Sequence, residues 1–270
     1  MKLNNFISKI LFNVIKIYLP ILLKERNKNA MTQSIEGKLI LITGASAGIG
    51  KAVAMTLGKQ GAHIIALGRR AEELKKLQKS LPSGIVQILP GDLNDSSYIK
   101  QVGKLASEVD IFINNAGVLR YAPLLDLSPE DCEWMFKTNV LASLTITQTI
   151  ARSMVFRKTG HIIFISSIAA REVYRLASVY CATKHALSAL ARSFRLELQG
   201  FGIKVTEIAP GMVDTEIRTG SDHPDVLAAV ATRKFKALTT QEVADAVAYA
   251  LGNNLNCCPD LIELRPLGSA

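Results

Sequence analysis

The sequence predicts an α/β fold in which a doubly wound parallel sheet carries helices on both faces. Short apolar runs alternate along the chain with stretches of helical periodicity, and the first run leads through a glycine-rich turn into a helix. The 270 residues, 49% of them hydrophobic, suffice for one domain with a large core. We therefore expect one domain over residues 35–270, with residues 1–34 as an extension.

The apolar runs predict seven strands. They cover residues 39–42, 63–67, 85–89, 111–113, 160–166, 204–209 and 261–264. Helical periodicity predicts helices that include 51–60, 140–157 and 178–199. The last two carry apolar stripes broader than one sheet face requires, which indicates a second buried face.

The turn after the first strand has the residues that a dinucleotide site needs. It reads TGASAGIG from Thr43 to Gly50. Gly44 permits a tight turn, Gly48 lets the backbone approach a pyrophosphate, and Gly50 lets the next helix pack closely. The N-terminus of that helix would face the phosphates. Glycine-rich turns also occur without a ligand, but the position directly after an apolar strand favours a nucleotide site.

Polar residues also follow two later strands. The run NNAG, residues 114–117, ends the fourth strand, and Ser166 and Ser167 end the fifth. In open parallel sheets, ligands bind outside the carboxyl ends of the strands. These residues are therefore site candidates.

Tyr180 and Lys184 lie four residues apart in the run YCATK, so a helix places them on one face. An ammonium a few ångströms from a phenol favours the phenolate and lowers a pKa that is ordinarily near ~10. The pair could then exchange protons near neutral pH. Taken alone, such a pair could equally be two solvent-exposed side chains on a surface helix. The neighbouring motifs argue against that alternative.

In order, the motifs TGASAGIG, NNAG, Asn139, Ser167, YCATK and Pro210-Gly211 resemble those of the classical short-chain dehydrogenases/reductases over about residues 35–267. The resemblance implies a single-domain Rossmann fold with a seven-stranded parallel sheet, and a homodimer or homotetramer. It implies that Tyr180 exchanges a proton with the substrate oxygen while Lys184 supports it and holds the nicotinamide ribose. Ser167 would stabilise the substrate oxygen.

The resemblance further implies that Asn139 holds a water between Lys184 and solvent, the alternative being a helix-capping asparagine. Asp92 and Leu93 would contact the adenine, and Thr215 the nicotinamide carboxamide. The complete set expected at the cofactor is Gly44, Ser46, Gly48, Ile49, Gly50, Arg69, Arg70, Asp92, Leu93, Asn115, Ala116, Gly117, Tyr180, Lys184, Pro210, Gly211, Val213 and Thr215.

The end of the second strand favours NADP(H) over NAD(H). An acidic residue there would bind the ribose 2′-hydroxyl of NAD, and this chain instead has Gly68-Arg69-Arg70. Arg69 offers a planar cation to a 2′-phosphate, with Ser46 and Arg70 as helpers. The alternative is that the arginines begin a helix on a solvated face, and Ala47 stands where many NADP users have a basic residue.

For the substrate, the residues favour a carbonyl or secondary alcohol. Arg175, between Ser167 and Tyr180, could bind a carboxylate, and the segment from Gly211 to Ala237 would form a lid. Residues 237–266 are similar to NADP-dependent 3-hydroxy acid dehydrogenases, including serine dehydrogenase-like enzymes. The alternatives are a membrane-associated reductase of apolar acyl, steroid or retinoid-like carbonyls, and a dinucleotide-binding sensor without turnover.

The first thirty residues predict a basic amphipathic helix with six basic side chains against one acidic, which is +5 of the chain's +9. Three readings remain open: peripheral membrane contact, a start at Met31, or a tail without fixed structure. The remainder is only mildly basic, so nucleic acid is not an expected partner. Four cysteines and four scattered histidines lack metal-ligand or disulfide spacing. We expect no metal and a cytoplasmic location.

Overall fold

The computed structural model describes residues 34–218, 223–231, 235–254 and 256–269, where seven parallel strands form one sheet in the order β3-β2-β1-β4-β5-β6-β7. The strands are β1 (Leu39–Ile42), β2 (His63–Gly68), β3 (Val86–Pro90), β4 (Ile111–Asn114), β5 (Gly160–Ile165), β6 (Ile203–Pro210) and β7 (Leu261–Leu264). The helices are α1 (Gly48–Lys59), α2 (Ala71–Lys79), α3 (Ser96–Gly103), α4 (Pro129–Phe136), α5 (Ser143–Arg157), α6 (Ser178–Leu198), α7 (Pro224–Ala231) and α8 (Thr240–Leu251).

This architecture confirms the predicted doubly wound sheet of seven strands. The predicted basic helix in residues 1–30, with its membrane contact, lies outside the described residues and stays a prediction. So does part of the predicted lid, residues 219–222 and 232–234. Among the described helices, none combines the length and the apolar content that crossing a bilayer requires.

Successive residues of each strand point to opposite faces of the sheet, and both faces are buried. On one face, strand residues such as Ile40 and Ile113 pack with α1, α2 and α8. On the other, Leu41 and Phe112 pack with α3, α5 and α6. Continuous apolar runs such as Leu39–Ile42 are required because neither side of the strand meets water.

The predicted element ends agree with the structure to within three residues, and those of β1 and β7 coincide with it. α1 begins at Gly48 rather than at residue 51, because Ala47 is still extended with φ −161°. β5 ends at Ile165, which leaves Ser166 and Ser167 outside the strand. The helix expected from residue 140 begins earlier, as a π-helix over Lys137–Ala142 that continues α4 into α5. The sequence shows no periodicity that would distinguish a π-turn from an α-turn.

Candidate active site

A cavity of about 860 Å³ lies along the carboxyl ends of the strands. Its wall includes every residue of the expected cofactor set except Gly50, which packs directly behind the turn. It also includes Ser167 and Arg175, whereas Asn139 is buried beside it at 1% exposure. The motifs that are far apart in sequence therefore meet at one edge of the sheet.

The glycine turn is held by the end of β4. The side-chain amide of Asn115 donates to the carbonyl oxygens of Thr43 at 2.8 Å and Gly44 at 3.4 Å. The Thr43 hydroxyl accepts from the backbone N–H groups of Asn115 and Ala116, each at 2.9 Å. Asn115, expected as a member of the cofactor set, thus also shapes the turn with its side chain.

The turn also has no room for side chains. A Cβ on Gly50 would lie 2.4 Å from the Gly44 carbonyl oxygen, and a Cβ on Gly44 would lie 2.9 Å from the Asn115 amide nitrogen. Gly44 and Gly48 have φ values of +68° and +52°, which favour glycine. Ala47 forms no side-chain cap, so the first turn of α1 presents its N–H groups at the cavity, as a phosphate site requires.

At the end of β2, the two arginines have different surroundings. Arg70 pairs with Glu216 at 2.7 Å, across the cavity mouth from the loop after β6. Arg69 is exposed on the cavity wall, and within the described residues its guanidinium has no ion-pair partner. A Cβ on Gly68 would lie 3.0 Å from the Ser46 hydroxyl, so glycine there keeps Ser46 close to Arg69.

The cavity wall also contains Asp92, Leu93 and Asn94, of which the first two are the expected adenine contacts. The Asp92 carboxylate accepts from the backbone N–H of Asn94 at 2.9 Å and from its amide at 3.1 Å. The amide of Asn94 also donates to Thr138 at 3.1 Å. The Asn94 side-chain oxygen is buried without a hydrogen-bond partner among the described residues, so a polar ligand group could satisfy it.

Tyr180 and Lys184 lie on the cavity wall in the first two turns of α6. The Lys184 ammonium lies 5.7 Å from the centre of the Tyr180 ring and donates to the Ile165 carbonyl oxygen at 3.2 Å. Burial lowers the pKa of Lys184 from near 10.5 to about 8, and the carboxylate of Glu207 opposes that change. Most of the Lys184 side chains are therefore charged at neutral pH, and they lose the proton as the pH rises through about 8.

Asn139 connects the π-helix to α6. Its amide donates to the Val118 carbonyl at 2.9 Å and to the Thr183 hydroxyl at 3.0 Å, and its oxygen accepts from the Val118 N–H at 2.7 Å. Thr183 donates in turn to the Tyr180 carbonyl at 2.7 Å. These bonds rule out the helix-capping alternative, because the side chain binds across elements. They also fix the start of α6 that carries Tyr180.

Ser167 is 9% exposed and lies directly after β5. Its hydroxyl oxygen accepts from the Ala169 N–H at 3.1 Å, which caps a short 3₁₀ helix over Ile168–Ala170. With that oxygen oriented by the backbone, the hydroxyl proton remains available to a ligand in the cavity.

The segment between Ser167 and Tyr180 contributes to the cavity wall. Arg175 is exposed on this wall and has no ion-pair partner within the described residues. Next to it, Leu176 has a φ of +66°, a conformation that costs a non-glycine residue roughly 1–2 kcal/mol. The Leu176 carbonyl accepts from the Ala122 N–H at 3.0 Å, which helps to hold this backbone.

Several residues that shape the site were not predicted. Thr43, Asn94, Thr183, Trp134 and Glu207 were missed. A signal existed for Glu207, because an acidic residue inside an apolar strand is unusual. The described residues contain no group of three or more His, Cys, Asp or Glu side chains that could hold a metal ion.

Comparison with known proteins identifies the family. A family model described as short chain dehydrogenase matches residues 38–225. An uncharacterized oxidoreductase of Staphylococcus aureus (strain MW2) is 32% identical over 234 residues, which cover 85% of this chain and 97% of that protein.

Two serine dehydrogenase structures are also similar. The closed form of serine dehydrogenase complexed with NADP+ has a TM-score of 0.78 at 32% identity, covering 84% of this chain and 94% of that one. Serine dehydrogenase from Escherichia coli has a TM-score of 0.71 at 29% identity, covering 84% and 96%. With the family match spanning most of its length, the chain belongs to the short chain dehydrogenase family.

Proposed function

We propose that this protein is an NADP(H)-dependent oxidoreductase that interconverts a carbonyl and a secondary alcohol. The observation that carries the proposal is the convergence of Ser167, Tyr180 and Lys184 on the cavity that begins at the glycine turn. When bound, the nicotinamide supplies or accepts the hydride. The residues of the chain bind, orient and move protons.

In the proposed mechanism, the Tyr180 hydroxyl gives its proton to the substrate oxygen during reduction and takes it back during oxidation. The Lys184 ammonium favours the phenolate that remains. The Ser167 hydroxyl donates to the substrate oxygen as negative charge develops there. Asn139 holds the backbone around Tyr180, and the water that it was expected to hold stays a prediction.

The proposed preference for NADP(H) is supported by the end of β2. Arg69 faces the cavity wall without an acidic partner in the described structure, and Ser46 approaches Gly68 beside it. A similar serine dehydrogenase structure contains NADP+. Arg70 could bind the 2′-phosphate only after its ion pair with Glu216 is broken.

For the substrate, we propose a 3-hydroxy acid. Arg175 is a cation on the wall of the cavity that Tyr180 also lines, so it can bind a carboxylate. Arg171, which also lies between Ser167 and Tyr180, is occupied by Glu207 at 3.0 Å. The similarity to serine dehydrogenases agrees with this assignment.

A second candidate is a reductase of apolar carbonyls. It is favoured by the apolar and aromatic side chains on the cavity wall, which include Leu119, Trp134, Ile168 and Val226. Such walls suit an acyl chain or a ring system. In that case Arg175 would serve as a surface cation rather than a ligand.

We also propose that the protein is a homodimer or homotetramer of the cytoplasm. Leu141, Phe156 and Leu196 are exposed on the outer surfaces of the π-helix, α5 and α6, at 57%, 89% and 61%. Exposed apolar side chains of this size favour an interface between copies. The four free cysteines agree with a reducing compartment. Sedimentation equilibrium tests the assembly.

The experiment that tests the function follows NADPH and NADH absorbance separately, with 3-oxo acids and apolar ketones as substrates. Oxidation of NADPH by the acids supports the hydroxy-acid proposal. Activity on apolar ketones alone supports the second candidate, and no turnover with any substrate supports the sensor alternative.

Tyr180→Phe should lower kcat at least about a thousandfold, because it removes the transferable proton. Binding of NADPH, measured by its fluorescence, should change little. Tyr249→Phe, at an exposed position on α8, is the matched control and should retain activity. Substantial turnover by Tyr180→Phe would overturn the proposed role of Tyr180.

A further inference from the structure

A buried carboxylate in β6 has no role in the function proposed above. The side chain of Glu207 is 4% exposed. Its oxygens accept from the hydroxyls of Ser166 and Ser188, the latter at 2.9 Å. Arg171 donates to both oxygens, at 3.2 and 3.0 Å. Each oxygen therefore has two donors.

These donors come from the elements that carry the proposed active-site groups. Ser166 is the neighbour of Ser167 at the end of β5. Ser188 lies one helical turn after Lys184 on α6, on the same face. Glu207 therefore connects the strand end that presents Ser167 to the helix that presents Lys184.

Glu207 also bears on the charge of Lys184. Lys184 is 5% exposed, and within the described residues no carboxylate lies within ion-pair distance of its ammonium. The charge of Glu207 opposes the effect of burial on the pKa of Lys184. Charged or titratable groups near this cluster in the described part of the chain include Tyr180 on α6, Arg171 after β5, and Glu263 on β7, 3.8 Å from Arg171. Glu263 also pairs with Arg265 at 2.7 Å.

We propose that Glu207 is a positioning residue for the active site: it supplies the buried counter-charge of Lys184 and joins β5 to α6 through Ser166 and Ser188. Arg171 holds the carboxylate in place. The effect of Glu207 on catalysis rests on the proposed function, whereas its effect on the ionisation of Lys184 can be tested without turnover.

The direct test measures the ionisation of Lys184 in Glu207→Gln. Folded protein is acetylated with acetic anhydride over a range of pH, and the Lys184 peptide is quantified by mass spectrometry. Loss of the negative charge should move the midpoint of Lys184 acetylation to lower pH by about half a unit or more. A merely structural role would leave that midpoint unchanged.

Glu263→Gln is the matched control, because Glu263 also contacts Arg171 but does not bond Ser166 or Ser188. Its Lys184 midpoint should equal that of the wild type. In NADPH-dependent reduction, Glu207→Gln should lower kcat about tenfold and move the high-pH limb to lower pH. Glu207→Asp, which keeps the charge, should restore the position of that limb.

An unchanged Lys184 midpoint in Glu207→Gln would overturn the inference. If Glu207→Gln does not fold, the comparison is made between Arg171→Gln and the double variant Arg171→Gln/Glu207→Gln, with the same expected shift. If the midpoint shifts in Glu207→Gln while the wild-type protein turns over none of the substrates, the proposed function is refuted and the counter-charge stands.

Discussion

In the glycine turn, a methyl group added at Gly50 would make the closest contacts, at 2.4 and 2.5 Å. A Cβ there would collide with the Gly44 carbonyl and the Asn115 amide, and backbone cannot rotate away as a flexible side chain can. Gly50→Ala should destabilise the protein by about 2 kcal/mol and weaken NADPH binding about tenfold or more. Urea unfolding and NADPH fluorescence measure the two effects.

Gly200→Ala is the control for that substitution, since a Cβ on Gly200 meets nothing within 4 Å. It should leave both the urea midpoint and NADPH binding near wild type. Equal effects of the two substitutions would show that the close approach at Gly50 carries no cost.

Arg69 tests the selection between cofactors. Arg69→Asp should weaken NADPH binding relative to NADH by about tenfold to a hundredfold, because a charge-assisted hydrogen bond to the 2′-phosphate becomes a repulsion. Fluorescence titrations with both cofactors give the ratio. Arg152→Asp makes the same charge change at an exposed site outside the cavity and should leave the ratio unchanged. An unchanged ratio in Arg69→Asp would contradict the proposed role of Arg69 in selecting NADPH.

The sequence predicted individual site residues where they stand in compact motifs. Ser167, Tyr180 and Lys184 are near one another in the chain, and the structure brings all three to the cavity. Glu207 could not be found in this way, because its partners Arg171 and Ser188 are 36 and 19 positions away. Contacts of that kind depend on strand register, which short spacings do not contain.

At the scale of elements, α8 shows how a helix start is fixed. Thr239 accepts from the Glu242 N–H, and the Glu242 carboxylate accepts from the Thr239 N–H, which together form a capping box. Thr239→Ala should lower the free energy of unfolding by about 1 kcal/mol. Thr240→Ala, which leaves both bonds in place, is the control in urea unfolding. Equal midpoints for the two variants would contradict the prediction.

Element positions were predicted well and element ends less well, for a physical reason. Buried strands such as Ile111–Asn114 are apolar on both faces, so their centres are evident from composition. Their ends depend on hydrogen bonds to neighbouring strands. The π-helix at Lys137–Ala142 depends on the contacts of Asn139 with Val118 and Thr183, which only the folded chain provides.

For the whole molecule, acid stability should depend on His161. Burial, with a smaller effect of the Lys204 charge, lowers the pKa of His161 to about 3. In the unfolded chain the pKa of His161 is near 6.5. Between these two pKa values the unfolded state therefore binds a proton at His161 that the folded state does not bind. Stability is therefore complete above about pH 6.5 and should fall by about 1.4 kcal/mol at pH 5.5.

Urea unfolding at pH 7.5 and pH 5.5 checks this slope. His161→Gln should remove that part of the loss, whereas His63→Gln, at an exposed position, should retain it. The same loss in all three proteins would assign the acid sensitivity to other groups.

The order of the strands also has a consequence for how the chain folds. β1 pairs with β4 through Ile40 and Ile111, and the residues that shape the glycine turn, Asn115 and Ala116, follow β4. During synthesis the turn emerges long before these partners, so its final shape must wait for them. Parallel pairings of such long range form slowly. A nascent chain would gain its affinity for a dinucleotide only after the centre of the sheet has closed.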